Sequence, residues 1–137
     1  MKIVLDTSVL IAATRSRRGA SHRLLTMLPS PGFDVALSVP LYMEWMAVMS
    51  RPEHLPSGMT ATDAEAFLRY LASICIPQEI HFLWRPFLRD PNDDMVLECA
   101  VASGSRYLLT HNVKDFSGTR TLGVHAMTPA DFLRLMD

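Results

Sequence analysis

Short apolar segments alternate along the chain with longer segments of helical periodicity. The segments at 3–5, 35–37, 106–110 and 124–127 predict β-strands. The first of them is apolar on both faces, as in a central strand of a covered parallel sheet. Helices are predicted at 9–13, 20–28, 41–49, 63–74, 95–102 and from 129 onward. This alternation indicates an α/β fold with a parallel sheet, and residues 76–84 give no firm prediction.

The predicted helix starts carry capping signals. Thr7 or Ser8 is placed to cap the first helix, and Thr60 or Thr62 to cap the fourth. Three helices are predicted to open on a proline, which suits the first helical position because it has no N–H to satisfy. These prolines are Pro40, Pro91 and Pro129, and the last two follow the cap residues Asp90 and Thr128.

The segment 41–49 is apolar nearly all round, so it predicts a buried helix. Leu41, Glu44, Trp45 and Val48 have helical i, i+3, i+4 and i+7 spacing, which puts one carboxylate on the core-facing stripe. An unpaired buried carboxylate costs several kcal/mol, so Glu44 is expected to meet a partner, a cation or a polar cleft. The alternative is a salt bridge to an arginine, or a side chain that reaches water.

Acidic and amide residues stand where strands end or helices begin. In parallel α/β sheets ligands bind beyond the carboxyl ends of the strands, so these side chains are expected to meet. Taken singly, each is also explained as a turn or cap residue. That explanation is weakest for Asp94, which shares a helical face with Leu97 and Val101. The residues are Asp6, Asp90, Asp94, Asn112 and Asp115.

The composition is that of one ordinary globular domain spanning 1–137. Apolar residues make up 49% and charged residues 20% of the chain, so a disordered or strongly charged protein is excluded. Cys75 and Cys99 lack metal-site spacing and are expected to be buried thiols. No signal peptide or membrane-spanning run is present, which predicts a soluble cytoplasmic protein.

A net charge of −1 excludes a molecule that binds nucleic acid through its overall charge. A local basic cluster follows the first helix. It is either a solvated loop, or a rim that contacts phosphate or an acidic partner. Its members are Arg15, Arg17, Arg18 and Arg23.

Clustered carboxylates repel one another, and a divalent cation relieves that repulsion. Oxygen ligands of this kind suit Mg²⁺ or Mn²⁺, whereas zinc prefers histidine and cysteine. Such ions activate water for attack on a phosphodiester. No serine or cysteine nucleophile with a neighbouring base is evident, and the histidines lack metal spacing. The pattern therefore favours metal-dependent phosphodiester chemistry.

Four segments in order carry a family resemblance: 5–10 (LDTSVL), Ser38 with Glu44, 90–97 (DPNDDMVL) and 109–116 (LTHNVKDF). Together they resemble a PIN domain, and more narrowly the VapC-like toxins of bacterial toxin–antitoxin pairs. The match extends to the closing segment 128–133 (TPADFL), so it covers essentially the whole chain. The resemblance implies a three-layer α/β/α sandwich with a central, mostly parallel twisted sheet.

The resemblance also implies a Mg²⁺- or Mn²⁺-dependent ribonuclease whose acids line one cleft. Asp6, Glu44 and Asp94 match the first three family acids and are the expected catalytic residues. Asp90 is an additional nearby carboxylate. The fourth position, often Asp, is Asn112 here, and Asp115 is a possible substitute. The expected metal ligands are thus Asp6, Glu44, Asp90, Asp94, Asn112 and Asp115.

The implied partners are an RNA substrate, a small antitoxin protein and a second copy of the chain. RNA contacts are expected from Thr7, Ser8, Arg15, Arg17, Arg18 and Thr110. Apolar-rich helices and nine methionines suggest adaptable binding surfaces, although these residues are also explained as core.

Two other functions remain open. The first is a non-catalytic RNA- or protein-binding member of the same fold, in which Asn112 marks a decayed site. The second is phosphotransfer on Asp6. It is the weaker of the two, because such sites need a second acid beside the nucleophile and the sequence after Asp6 is Thr7-Ser8.

Overall fold

The central sheet has five parallel strands. They are β1 (Lys2–Leu5), β2 (Asp34–Leu37), β3 (Ile76–Pro77), β4 (Tyr107–Leu109) and β5 (His125–Met127). The structure is a computed structural model that describes residues 1–83 and 85–137. The strand order is β3-β2-β1-β4-β5, so β1 is central. Ile3 lies opposite Val35 on one side and Tyr107 on the other. The predicted parallel α/β sheet is confirmed.

In the described residues, six α-helices cover the sheet. They are α1 (Thr7–Arg15), α2 (Ala20–Thr26), α3 (Val39–Met49), α4 (Ala61–Ser73), α5 (Pro91–Ser103) and α6 (Pro129–Met136). Helix α5 packs on β1, β2 and β4, α3 packs on α4 and α5, and α2 packs on α1 and α6. The expected three-layer sandwich is confirmed. No helix in the described part of the chain is long and apolar enough to cross a membrane.

The core forms where the strands are covered on both faces, as their apolar sequences predict. Ile3, Val4 and Leu5 of β1 are fully buried. On the α6 side, Phe33 and Phe132 pack edge to face with their ring centroids 5.1 Å apart. Cys75 and Cys99 are buried free thiols as predicted, and burial raises their pKa values to about 12 and about 11.

Most of the predicted caps are confirmed. Thr60 and Asp63 form a capping box on α4, and Asp90 and Thr128 accept backbone N–H bonds at the starts of α5 and α6. The prediction for α1 is wrong, because Asp6 is its N-cap residue and its side chain makes no capping bond. Thr7 lies inside the helix instead.

Three other expectations require correction. Helix α3 begins at Val39 after its cap Ser38, so Pro40 is its second residue and not its first. Helix α3 is not buried all round, since Val39 is 74% and Met43 59% exposed. Within 76–84, for which no structure was predicted, β3 pairs with β2; Trp84 lies outside the described residues.

Candidate active site

Asp6 lies at the carboxyl end of β1, in the middle of the sheet. Its backbone N–H donates to the carbonyl of Leu109 in β4, which extends the β1–β4 pairing to this residue. The carboxylate is 7% exposed. Its Oδ2 accepts hydrogen bonds from Ser8 Oγ at 2.7 Å and Thr110 Oγ1 at 2.8 Å. No described residue donates to Oδ1, so that oxygen is available to a ligand.

The two hydroxyls that hold Asp6 are themselves fixed by the loop after β4. Ser8 Oγ accepts from the backbone N–H of His111 at 3.0 Å, and Thr110 Oγ1 accepts from that of Asn112 at 2.9 Å. Each hydroxyl therefore accepts from the backbone and donates to the carboxylate. This network fixes the orientation of the Asp6 carboxylate.

Asp93, in the first turn of α5, faces the same place. Its pKa is raised to about 7, chiefly by burial and then by the charges of Asp6, Asp90, Asp115 and Asp94 in that order. We call Asp6, Asp90, Asp93 and Asp115 the acid cluster. Asp93 was not among the site residues predicted from the sequence. The available signal was its spacing of three residues from Asp90, which places both on one side of the helix start.

The carboxylate of Asp94, which was predicted to be a catalytic acid, binds the segment that precedes α5. It is only 1% exposed, and its Oδ1 accepts the backbone N–H of Leu88 at 2.8 Å. Its Oδ2 is buried and has no hydrogen-bond partner among the described residues. The prediction that Asp94 belongs to a buried face is confirmed. The catalytic role of Asp94 stays a prediction, and in this structure its carboxylate binds the preceding segment.

Glu44 is half-buried on α3, and no hydrogen bond or ion pair links it to another described residue. The alternative of a salt bridge to an arginine is thus not found in the described chain. The next residue, Trp45, is fully buried and its Nε1 donates to the Leu5 carbonyl at 3.3 Å. This bond holds α3 against the end of β1, directly before Asp6. Glu44 as a metal ligand stays a prediction.

Asn112 and Asp115 follow β4 and are both exposed. Asp115 belongs to a short 3-10 turn, Val113–Phe116, and its charge contributes to the raised pKa of Asp93. Asn112 bonds to Thr110 through its backbone, and its side chain has no described partner. Asp115 therefore adds a carboxylate to the acid cluster, whereas Asn112, at the position of the fourth expected acid, has an amide side chain.

Residues 2–114 match the sequence profile of the PIN domain, which is most of the chain. The chain belongs to the PIN domain family. Asp115 lies one residue beyond the matched region. No curated protein sequence matches the chain significantly.

Solved structures share this PIN fold at low sequence identity. VapBC-1 from nontypeable Haemophilus influenzae matches with a TM-score of 0.64 and 18% identity, over 95% of this chain and 99% of that one. VapBC2 from Rickettsia felis, bound to a DNA fragment from the promoter, matches with a TM-score of 0.64 and 16% identity, over 93% and 99%. At these identities the likeness establishes the fold.

The predicted substrate contacts of this PIN domain divide into two groups. Thr110 is fully buried and orients Asp6, whereas Thr7 is 7% exposed and stays a predicted contact. Arg15 is the last residue of α1 and Arg17 and Arg18 follow it, and no described contact joins these arginines to the acids. Arg15 bonds to His54 Nδ1 at 3.3 Å, and Arg18 is exposed.

Arg17 lines a separate apolar groove of about 670 Å³ between α1, α2 and α4. None of the acids of the cluster lines it. We call it the α1–α2–α4 groove. Its apolar lining includes Leu25, Leu28, Met49, Met59, Phe67 and Leu68.

The acid cluster has the ligand chemistry of a divalent-cation site, but in this structure its carboxylates are not close enough together to hold the ion. All its donors are oxygens, which suit Mg²⁺ or Mn²⁺. In the described chain, no three or more His, Cys, Asp or Glu side chains are close enough to hold a metal ion. The carboxylates are near enough to raise the pKa of Asp93, and a cation would remove that repulsion.

The raised pKa of Asp93 predicts a pH-dependent stability. An unfolded aspartate has a pKa near 3.9, so between about pH 4 and 7 the folded state holds a proton that the unfolded state has lost. Stability therefore falls as the pH rises through this window. In EDTA, Asp93→Asn is expected to raise the melting temperature at pH 8 by about 3–8 °C, with no difference near pH 4.

Thermal unfolding followed by circular dichroism at both pH values tests this prediction. Asp34→Asn, at an exposed position on β2, is the matched control and should show no such pH dependence. An Asp93→Asn protein that is equally destabilised at pH 4 and pH 8 would contradict the prediction.

Proposed function

We propose that this PIN domain is a divalent-metal-dependent endoribonuclease and the toxin of a toxin–antitoxin pair. The observation that carries the proposal is the acid cluster at the carboxyl end of β1, within a PIN fold. A fixed Asp6 and a partly buried Asp93 with a raised pKa form the kind of site that holds a cation against a phosphodiester. Such an enzyme would act in the cytoplasm.

Each residue has a defined part in this proposal. Asp6 offers Oδ1 as a ligand while Ser8 and Thr110 hold Oδ2. Asp93 replaces Asp94 as the acid of α5, and it must lose its proton to bind a cation. The remaining candidate ligands are Glu44, Asp90, Asn112 and Asp115. When bound, Mg²⁺ or Mn²⁺ would lower the pKa of a water molecule and stabilise charge on the phosphate.

Cleavage of total cellular RNA by the purified protein tests the proposal. Reactions contain Mg²⁺, Mn²⁺ or EDTA, and the products are mapped by their ends. Discrete cuts with either metal that disappear in EDTA are the expected result. A folded protein, shown to be free of antitoxin, that makes no cuts under any condition would overturn it.

A second candidate is a binding module of the same fold with a decayed site. It is favoured by Asn112 at a family acid position and by the wide spacing of the carboxylates. Such a protein would retain RNA or protein binding without cleavage. The same RNA reactions, followed by a filter-binding assay with the uncut RNA, separate the two functions.

We further propose that the antitoxin binds in the α1–α2–α4 groove. Phe67 is 38% and Tyr70 is 55% exposed in its wall, so a partner's apolar side chains would cover them. Phe67→Glu is expected to weaken capture of the small protein encoded beside this chain by about tenfold or more, since a charge enters an apolar contact. RNA cleavage should be unchanged.

Co-purification from cells that express both proteins measures this effect. Ala66→Glu is the matched control, because Ala66 is exposed on α4 but does not line the groove. Equal recovery of the partner with Phe67→Glu and Ala66→Glu would rule out this groove as the binding site.

The homodimer stays a proposal, and the exposed face of α3 is its proposed interface. Val39 and Met43 lie one turn apart there and are largely exposed. Met43→Glu is expected to convert a dimer to a monomer in light scattering at micromolar concentration. A wild-type monomer under these conditions would contradict the proposal.

A further inference from the structure

Two buried carboxylates on α5 hold the segment that leads into the acid cluster. Asp94 and Glu98 are 1% and 2% exposed, and their spacing of four residues puts them on one side of the helix. Asp94 Oδ1 accepts the backbone N–H of Leu88 at 2.8 Å. Glu98 Oε2 and Oε1 accept from Arg85 Nε at 3.0 Å and Nη2 at 2.9 Å. Both acids thus bind segment 85–90.

These attachments are strong ones for a segment without regular structure. A guanidinium that meets a carboxylate through two parallel bonds is fixed in direction as well as in distance. The Glu98 carboxylate raises the pKa of Arg85, so the cation is retained. The side chain of Leu88, in the same segment, is 7% exposed and belongs to the hydrophobic core.

Segment 85–90 ends at a member of the acid cluster. Asp90 Oδ1 accepts the backbone N–H of Asn92 at 3.0 Å and so starts α5. Asp93 follows one turn later. The attachment of the segment to α5 therefore sets the positions of Asp90 and Asp93 relative to Asp6 on β1.

We propose that Asp94 and Glu98 are positioning residues. They bind Leu88 and Arg85 so that Asp90 and Asp93 face Asp6, and Asp94 does not bind the cation. The two adjacent acids thus have different roles. Asp93 belongs to the acid cluster, and Asp94 holds the segment that leads into it. The inference rests on the proposed function for its catalytic readout.

The unpartnered oxygen of Asp94 makes a sharp test possible. Asparagine retains an oxygen that can accept from Leu88, and its NH₂ group takes the place of the buried Oδ2. A positioning role therefore survives Asp94→Asn and is lost in Asp94→Ala. A metal ligand would be lost in both variants, because an amide nitrogen that carries two hydrogens does not bind a cation.

The experiment measures RNA cleavage against Mn²⁺ concentration for the wild type, Asp94→Asn, Asp94→Ala and Asp93→Asn. Asp94→Asn is expected to need a Mn²⁺ concentration within about threefold of the wild type for half-maximal rate, whereas Asp94→Ala should need about 10–100-fold more, as when other supports of metal ligands are removed. Asp93→Asn should not cleave. An Asp94→Asn protein that is folded but inactive, or an Asp94→Ala protein that behaves as the wild type, would overturn the proposal.

Trypsin cleavage of the folded protein gives a readout that does not depend on catalysis. The Arg89–Asp90 bond lies in the segment, and the bond after Arg85 is protected by Pro86. Asp94→Ala and Glu98→Ala should be cut after Arg89 at least about tenfold faster than the wild type, with Asp94→Asn unchanged. Equal cutting of all four proteins would overturn the attachment.

The two proposals fail separately. If the wild type cleaves no RNA, the ribonuclease is rejected, and positioning is judged by the trypsin rates together with the rise in melting temperature on adding Mn²⁺. A rise in the wild type and Asp94→Asn that is lost in Asp94→Ala supports positioning. No rise in any of the proteins rejects the metal site and the positioning role with it.

Discussion

Replacing Asp6 by Asn is expected to lower the rate of RNA cleavage by about 10²–10⁴-fold. Ser8 and Thr110 donate to Oδ2, so the asparagine must turn its single oxygen toward them. Its NH₂ group then occupies the position of Oδ1, where the wild type presents a ligand oxygen. The variant should be folded, because the hydroxyl donors keep their acceptor. Cleavage rates in Mn²⁺ measure the effect.

Ser8→Ala is the matched control for this experiment. It removes one of the two hydroxyl donors but leaves the carboxylate, so a loss of about tenfold or less is expected. Rapid cleavage by Asp6→Asn at saturating Mn²⁺ would remove Asp6 from the mechanism.

The largest effect on stability is expected for Trp45→Ala, at about 3–5 kcal/mol of unfolding free energy. Trp45 is fully buried, and its Nε1 donates to the Leu5 carbonyl at 3.3 Å. The substitution leaves a large cavity and removes a donor between α3 and β1. Since a domain has about 5–15 kcal/mol of total stability, the variant should be close to unfolding at 37 °C. Urea unfolding measures the difference.

Trp45→Phe separates packing from the hydrogen bond. It keeps most of the buried volume and loses only the indole N–H, so its cost should be well below that of the alanine variant. A loss as large as that of Trp45→Ala would show that the bond to Leu5, rather than packing, dominates.

Much of the fold could be predicted because its signals are local. β1 is apolar on both faces, which is the pattern of a strand covered on both sides. The caps Thr60, Asp90 and Thr128 were read correctly, since each side chain acts within three residues of itself. β3 was missed because two residues, Ile76–Pro77, are too few to show a period.

The sequence pattern does not distinguish Asp93 from Asp94 as the α5 acid that faces the cluster, for a physical reason. An apolar stripe identifies the buried face of a helix only when the other faces meet water. Helix α5 contacts β1, β2, β4 and α3, and its buried residues include Val96, Cys99 and Ala100 as well as Asp94. Burial on several sides removed the distinction between the face toward the acid cluster and the face toward segment 85–90.

Two further features, the covered side of α3 and the hydrogen bond between Thr110 and Asp6, depend on tertiary contacts that the sequence pattern does not reveal. Helix α3 is apolar on most sides, but only the side of Leu41, Trp45 and Val48 is covered by the rest of the chain. The hydroxyl of Thr110 reaches Asp6 across 104 positions of sequence. Pairings of that kind follow from the sheet order, which the sequence pattern does not specify.

The most direct test of the account is the binding of Mn²⁺, measured by isothermal titration calorimetry on the wild type and Asp93→Asn. We predict that the wild type binds the ion with an affinity that rises up to about pH 7, as Asp93 loses its proton. Asp93→Asn should not bind measurably. A folded wild type that takes up no Mn²⁺ at pH 8, or an Asp93→Asn protein that binds as tightly as the wild type, would contradict it.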